Sequence, residues 1–233
     1  MFKYIVKRIL LAIVTIWAVA TLTFFLMNLV PGGPFLSEKA ISPQAQAALE
    51  AKYGLDKPMF QRYVNYMTGA LHGDFGDSLK QRGRTVMSII AMKFPVSARV
   101  GGISVLVALI LGIPLGSIAA LKRGKPTDSV ISVISTCGIA VPSFVICTLL
   151  MYFLGVKMGL LPTMGLESAK HYVMPVIALS FYPTAYIMRL MRSSMLDVLG
   201  QDYMRTARAK GLAGGKILFK HALRNAILPV VTY

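Results

Sequence analysis

The chain has 233 residues, 55% hydrophobic and only 15% charged, with a formal net charge of +16 and a mean hydropathy of +0.64. Soluble domains carry about 25% charged residues, so this composition excludes an ordinary water-soluble domain and indicates a membrane protein. The Lys/Arg excess raises nucleic-acid binding as a second class, and the placement of the charges decides it.

Lys3, Lys7 and Arg8 precede an uncharged run from Ile9 to Val30. The run is longer than a signal-peptide core, and "NLVPGGP" follows it instead of a small-residue cleavage site. Residues 1–30 are therefore expected to form a cytoplasmic tip and a retained first span. Residues 31–93 are expected to be an extracytoplasmic helical segment. "ISPQAQAALEAKYGL" reads as a helix capped by Ser42, with Pro43 at its first position and Gly54 at its end. "PMFQRYVNYMTGALHG" repeats the scheme, with Pro58 near the start and Phe60, Val64, Met67 and Leu71 at helical spacing. Tyr53, Phe60, Tyr63 and Tyr66 suit a membrane interface. This segment either packs on the outer ends of the spans or meets a partner that delivers substrate.

Residues 94–233 carry three further spans, at about 100–121, 134–156 and 172–188, the last at the short end of what a helix needs to cross about 30 Å of hydrocarbon. Backbone groups in lipid must bond within their own segment, so helices are expected. Pro114 and Pro142 interrupt the second and third spans. Gly112 and Gly116 form a G-x-x-x-G that lets helices approach closely, unless kinked helices line a path there. Cys137 and Cys147 lie about 15 Å apart along one helix, too far for a disulfide, and are expected to be reduced. No acidic residue falls inside the four spans, whereas proton- or sodium-coupled transporters place carboxylates at membrane depth. Energy then enters from elsewhere: the chain is a passive channel, or part of a pump driven by another subunit.

Four spans put the N-terminus, residues 122–128 and residues 189–225 on one side. Together these carry 14 basic and 3 acidic residues, a net of +11. That side is the cytoplasm. The charge is thus mostly a topology signal, and nucleic acid is set aside as a partner. No catalytic constellation is visible. "GLAGGKI" fails as a phosphate loop, because Lys210 stands where its first glycine should be and Ile217 follows Lys216. His72, His171 and His221 have no carboxylate or Cys at ligand or triad spacing.

The last cytoplasmic segment, "QDYMRTARAKGLAGGKILFKHALRNAILP", remains. Asp202 can cap a short helix running to Lys210, with Gly211 as a left-handed stop and Leu212 as the apolar residue after it. Gly214 and Gly215 permit a turn, and a second helix starts near Lys216. On it Phe219, Leu223 and Ile227 share one face, with Lys216, Lys220 and Arg224 on a neighbouring stripe. A basic amphipathic helix of this kind suits lipid phosphates or an acidic protein groove equally.

"QDYMRTARAKGL" followed by "HALRNAILPVV" resembles the cytoplasmic EAA loop of ABC importer permeases, whose general pattern is E-A-A-x-x-x-G-x9-I-x-L-P. Aligned on Gly211, the residues Arg205, Thr206 and Ala207 stand at E-A-A, and only Ala207 matches. His221 stands at the Ile position, Leu223 matches, and Arg224 replaces a proline that arrives later, at Pro229. These departures are similar to those of the oligopeptide/dipeptide branch. The resemblance continues through "FKYIVKRILL", "NLVPGGP", "YGLDKPMFQRYVNYMTGALHGDFGDSL", "AVPSF" and "HYVMPVIAL…YIMRLMRSSML", and covers essentially the whole chain.

The resemblance implies an all-α polytopic membrane protein: an ABC type-1 importer transmembrane domain with four complete spans and the start of a fifth. It implies that residues 197–228 form a coupling loop seated on an ATPase, with Asp202, Arg205, Thr206, Ala207, Gly211, Leu212, His221 and Arg224 as its site residues and Ala207, Gly211 and Leu212 at the contact. The implied partners are a second homologous permease subunit, two cytoplasmic ABC ATPase subunits, an extracytoplasmic solute-binding protein and the lipid bilayer. No cofactor is expected in this chain, because ATP and Mg would be bound by the partner ATPase. The implied location is a bacterial or archaeal cytoplasmic membrane with the N-terminus inside. The implied cargo is a di- or oligopeptide, or a related solute such as nickel or glutathione. Such permeases have about six spans, so the sequence is expected to be C-terminally truncated at Tyr233. An ATP-independent channel or secondary transporter, and a membrane-anchored scaffold recruiting a cytoplasmic protein, are the alternatives.

Overall fold

The structure, a computed structural model, describes residues 1–29, 50–51, 54–81 and 83–233. The chain divides into two units, Met1–Phe94 and Pro95–Tyr233.

In the first unit, helix α1 spans Phe2–Leu29 and has no buried residue. Its run from Ile9 to Leu29 carries no charge, which suits apolar surroundings. It is long and apolar enough to cross a membrane. The expected helix from Ser42 lies mostly outside the described residues, but its end is seen. The Gly54 N–H donates to the Ala51 carbonyl and the Leu55 N–H to the Glu50 carbonyl, the paired bonds of a Schellman stop. Helix α2 spans Met59–Leu71 with Pro58 at its cap. Its inward edge differs from the expected stripe. Phe60 and Leu71 are exposed, and it is Tyr63 and Tyr66 that meet α1. Tyr63 stacks on Phe25 and Tyr66 on Phe24, and the Tyr63 hydroxyl hydrogen-bonds Thr21 at 2.8 Å. Aromatic stacking with a polar tip outweighs simple apolar periodicity at this end of α1.

Helix α3, Val86–Leu121, is 36 residues long and contains Pro95 and Pro114. At 1.5 Å per residue this is about 54 Å, well beyond a bilayer core. Pro114 does not break it: losing one N–H is tolerated in a well-packed membrane helix. Pro142 does break the next run. Helix α4, Pro126–Ala140, ends there, and α5, Ser143–Leu150, continues as a wider π-wound turn, Met151–Lys157. The two arms are bent by 96°, so the expected third span is an angled pair. Among the described residues three helices, α1, α3 and the following α6, are each long and apolar enough to span, with a fourth if the bent pair counts as one.

Helix α6, Lys170–Leu199, is the hub of the second unit. It continues the expected span 172–188 by three turns into the basic segment that follows. Helix α3 crosses it at the glycine pair. A Cβ at Gly112 would lie 2.6 Å from Ile187 Cγ2, and one at Gly116 would lie 2.5 Å from the Met188 carbonyl. Helix α4 crosses it at Gly138, where a Cβ would lie 2.5 Å from that of Ala185. The G-x-x-x-G is therefore a packing seam. Helix α7, Asp202–Ala209, follows. Then comes one helical run, α8, made of Gly214–Lys216, the π-wound Ile217–Leu223 and Arg224–Ala226. Leu228–Thr232 forms α9.

Candidate functional site

Helices α7 and α8 fold back on the lower end of α6. Met191 and Met195 of α6, Met204 and Ala207 of α7, and Ile217, Ala222 and Ala226 of α8 make one buried cluster. Three methionines at its centre are fully buried. Their unbranched, polarizable side chains fill irregular gaps between short helices. Two polar links hold the fold-back. The Ser194 hydroxyl donates to the Ala226 carbonyl at 2.8 Å, and Asn225 Nδ2 donates to the Tyr203 hydroxyl at 3.0 Å.

The α7 stop forms as the sequence predicts. Gly211 has φ +70°, its N–H donates to the Arg208 carbonyl at 2.9 Å, and the Leu212 N–H donates to the Ala207 carbonyl at 3.4 Å. Leu212 then packs on the methionine cluster, as the apolar residue after a Schellman stop does. The helix start differs. Asp202 is the first helical residue rather than the cap, Gln201 holds the cap position, and no side-chain cap bond is made. Asp202 still places its charge in the first turn, where it favours the helix dipole.

The site residues divide between two faces. Asp202, Arg205 and Thr206 point outward. Arg205 and Asp202 form an exposed pair at 3.6 Å, and the Thr206 hydroxyl donates to the Asp202 carbonyl. Arg208, Lys210 and Gly211 are exposed beside them. Ala207 is only 6% exposed and Leu212 is half-buried, so both pack within the chain. The outward surface of α7 is thus basic and hydroxylated, with the alanine beneath it. On α8, His221 is half-buried and Arg224 exposed.

The expected apolar stripe on α8 is displaced. Phe219 is exposed, and the buried positions are Ile217, Ala222 and Ala226, followed by Val230 of α9. The first step is five residues and the next two are four. A π turn advances about one residue more per turn than an α turn, which moves the stripe off the 3.6-residue period.

A further polar feature lies above the loop. Asp128, in the first turn of α4, is 5% exposed. Arg192 of α6 binds it in a fork, Nε to Oδ1 at 2.6 Å and Nη2 to Oδ2 at 2.8 Å. The Gly124 N–H adds a bond to Oδ2 at 3.1 Å and the Ser132 hydroxyl a longer one to Oδ1 at 3.4 Å. Asp128 closes the 122–128 segment, outside the expected span 134–156. The Arg192 guanidinium, then the Gly124 N–H, hold its carboxyl well below the usual carboxylate range, against the opposing effect of burial. Sequence reading counts both residues only as topology charges. The local signal that could have singled out Asp128 is its position as the lone acid among Lys122, Arg123 and Lys125 at a helix start.

Helices of membrane-spanning length packed on one long helix, which ends in a compact and outwardly basic loop, make a polytopic membrane protein. The comparisons specify which kind. Residues 112–233 match the family described as "Binding-protein-dependent transport system inner membrane component", and residues 1–101 match its N-terminal companion. The chain is 41% identical over 235 residues to the oligopeptide transport system permease protein OppB of Haemophilus influenzae, covering 100% of this chain and 77% of that protein. It is 42% identical over 232 residues to the dipeptide transport system permease protein DppB of Bacillus subtilis, covering 100% and 75%. The DppB of Lactococcus lactis subsp. cremoris is 40% identical over 232 residues, covering 100% and 76%. The chain belongs to the binding-protein-dependent transport system inner membrane component family. It is a multi-pass inner-membrane permease subunit of an ABC importer, in the oligopeptide/dipeptide branch.

Proposed function

We propose that this chain moves di- or oligopeptides across the cytoplasmic membrane by alternating access, driven by ATP that a separate subunit hydrolyses. It pairs with a second homologous permease. Two cytoplasmic ATPases bind ATP and Mg and hold α7 in a groove, and an extracytoplasmic solute-binding protein delivers the peptide. The N-terminus lies in the cytoplasm.

The observation that carries this reading is the continuity from span to loop. A single 30-residue helix, α6, runs from the outer loop to Leu199, and α7 and α8 are fused to its end by a buried cluster. A push or pull on α7 is then delivered to α6 as a rigid displacement, since packed interiors transmit strain. The peptide cargo rests on the names of the relatives, which are peptide permeases at about 40% identity. The surface offered to the ATPase is Arg205 and Thr206 with Arg208 and Gly211, while Ala207 supports it from below.

Cross-linking tests the orientation. In an assembled importer lacking Cys137 and Cys147, a cysteine at Thr206 is expected to cross-link to the ATPase subunit and one at Met204 is not. Equal cross-linking from both positions, or none from Thr206, contradicts the docking face.

A further inference from the structure

A buried ion pair is a poor way to stabilise a fold. Desolvation offsets most of its attraction, and well-packed apolar residues of similar volume do as well or better. The Asp128–Arg192 pair therefore calls for a reason other than stability. Its geometry supplies one. Asp128 stands at the start of α4 and Arg192 three residues before the last methionine of the α6 core cluster, Met195. The residues are 64 apart in sequence and joined by two parallel bonds of 2.6 and 2.8 Å. A bidentate fork fixes direction as well as distance, whereas an apolar contact can slide. The carboxylate is also tied to the backbone of the α3–α4 turn through the Gly124 N–H.

The pair lies between other attachments on α6. Above it, Gly138 of α4 packs on Ala185, and Gly116 of α3 on Met188. Below it, Ser194 bonds the Ala226 carbonyl of α8. Resting on the coupling role proposed for α7 and α8, a displacement of the loop is delivered to α6 along the stretch that holds Met191, Ser194 and Met195, and Arg192 stands within that stretch. We propose that Asp128 and Arg192 are positioning residues for transport. They oblige the α3–α4 turn and α4 to travel with α6, so that loop movement also turns α4 against the 96° bend at Pro142. Without the fork, α6 slides past the end of α4 and ATP is spent without a full change of access.

The test uses the complete importer in proteoliposomes, with its solute-binding protein and a labelled short peptide. Native protein is compared with Arg192→Lys and with the double variant Asp128→Leu, Arg192→Met. Assembled complex, ATP hydrolysis and peptide taken up per ATP hydrolysed are measured separately. The double variant removes both charges, so no unpaired ion is left buried and the fold is retained. It is expected to assemble and hydrolyse ATP while uptake per ATP falls by about tenfold, within the usual range of site-to-site coupling. Arg192→Lys keeps the charge but loses the fork, and is expected to fall between the two. Native uptake per ATP in the double variant overturns the proposal. So does a loss of assembly and uptake in parallel with the ratio unchanged, which marks a purely structural pair. If the native complex itself shows no ATP-driven peptide uptake, the transport reading fails first and takes this proposal with it.

Discussion

Gly211 carries a backbone conformation that other residues adopt only at a cost. At φ +70° an L side chain is disfavoured by about 1–2 kcal/mol, and proline, fixed near −65°, cannot adopt it. Gly211→Pro also removes the N–H that closes α7 on Arg208. The variant is expected to insert normally and to lose ATP-driven uptake, measured as transport at matched membrane content; undiminished uptake would remove Gly211 from the coupling loop. Ala207→Glu acts differently from a surface change, since Ala207 packs against the methionine cluster. A carboxylate there disturbs the seat of α7 on α6, so its effect on uptake should come with easier proteolysis of the loop. At Asp128 the sign of the pH effect is set by a lowered carboxyl pKa. The pair's contribution is fully present above the unfolded value, near 4, and is lost only as pH falls through the folded value. Removing this contribution with Asp128→Asn leaves Arg192 without its carboxylate. The expected loss lies at the low end of about 3–5 kcal/mol, because Arg192 is 31% exposed and partly screened. Thermal unfolding in detergent should show native protein and variant separated by a near-constant interval between pH 6 and 8. An interval that closes within that range contradicts the assignment.

Among the elements, helix crossings depend on missing side chains. Gly116→Val puts a branched side chain where even a Cβ would meet the Met188 carbonyl at 2.5 Å, so α3 must move off α6. Gly101 has nothing within 4 Å of its Cβ position, and Gly101→Ala in the same helix is the control. The first is expected to lower the thermal midpoint by several degrees and the second to leave it unchanged or slightly raised; equal midpoints would mean the seam is loose. This seam was legible in the sequence because G-x-x-x-G is a local pattern. So were the bend at Pro142 and the stop at Gly211. The buried face of α8 was not legible, because π winding shifts the period and nothing in "ILFKHAL" announces it. That α2 packs on a span was legible, but the contact residues were not: Tyr63 and Tyr66 stack on α1 in place of the apolar stripe. The Asp128–Arg192 pair was invisible for another reason: pairing across 64 residues is a tertiary fact. Read locally, each residue is an ordinary cytoplasmic charge.

For the molecule as a whole, the charge count and the family agree on a single picture. The basic excess collects on segments that a four-span reading of the sequence places on one side, and the chain belongs to a family of inner-membrane transport components. What the fold adds is a mechanical route. The loop is fused to α6, α6 is seamed to α3 and α4, and a forked ion pair joins α6 to the start of α4. The central claim is that this route couples a partner's ATP to peptide movement. Its most direct measurement is uptake of a labelled peptide by the reconstituted importer, with ATP, without ATP, and with Arg205→Glu and Arg208→Glu together on the outward face of α7. ATP-dependent uptake in the native complex, lost in the charge-reversed one while both insert equally, is the predicted result. Uptake that persists without ATP, or that ignores the reversal of α7, would contradict it.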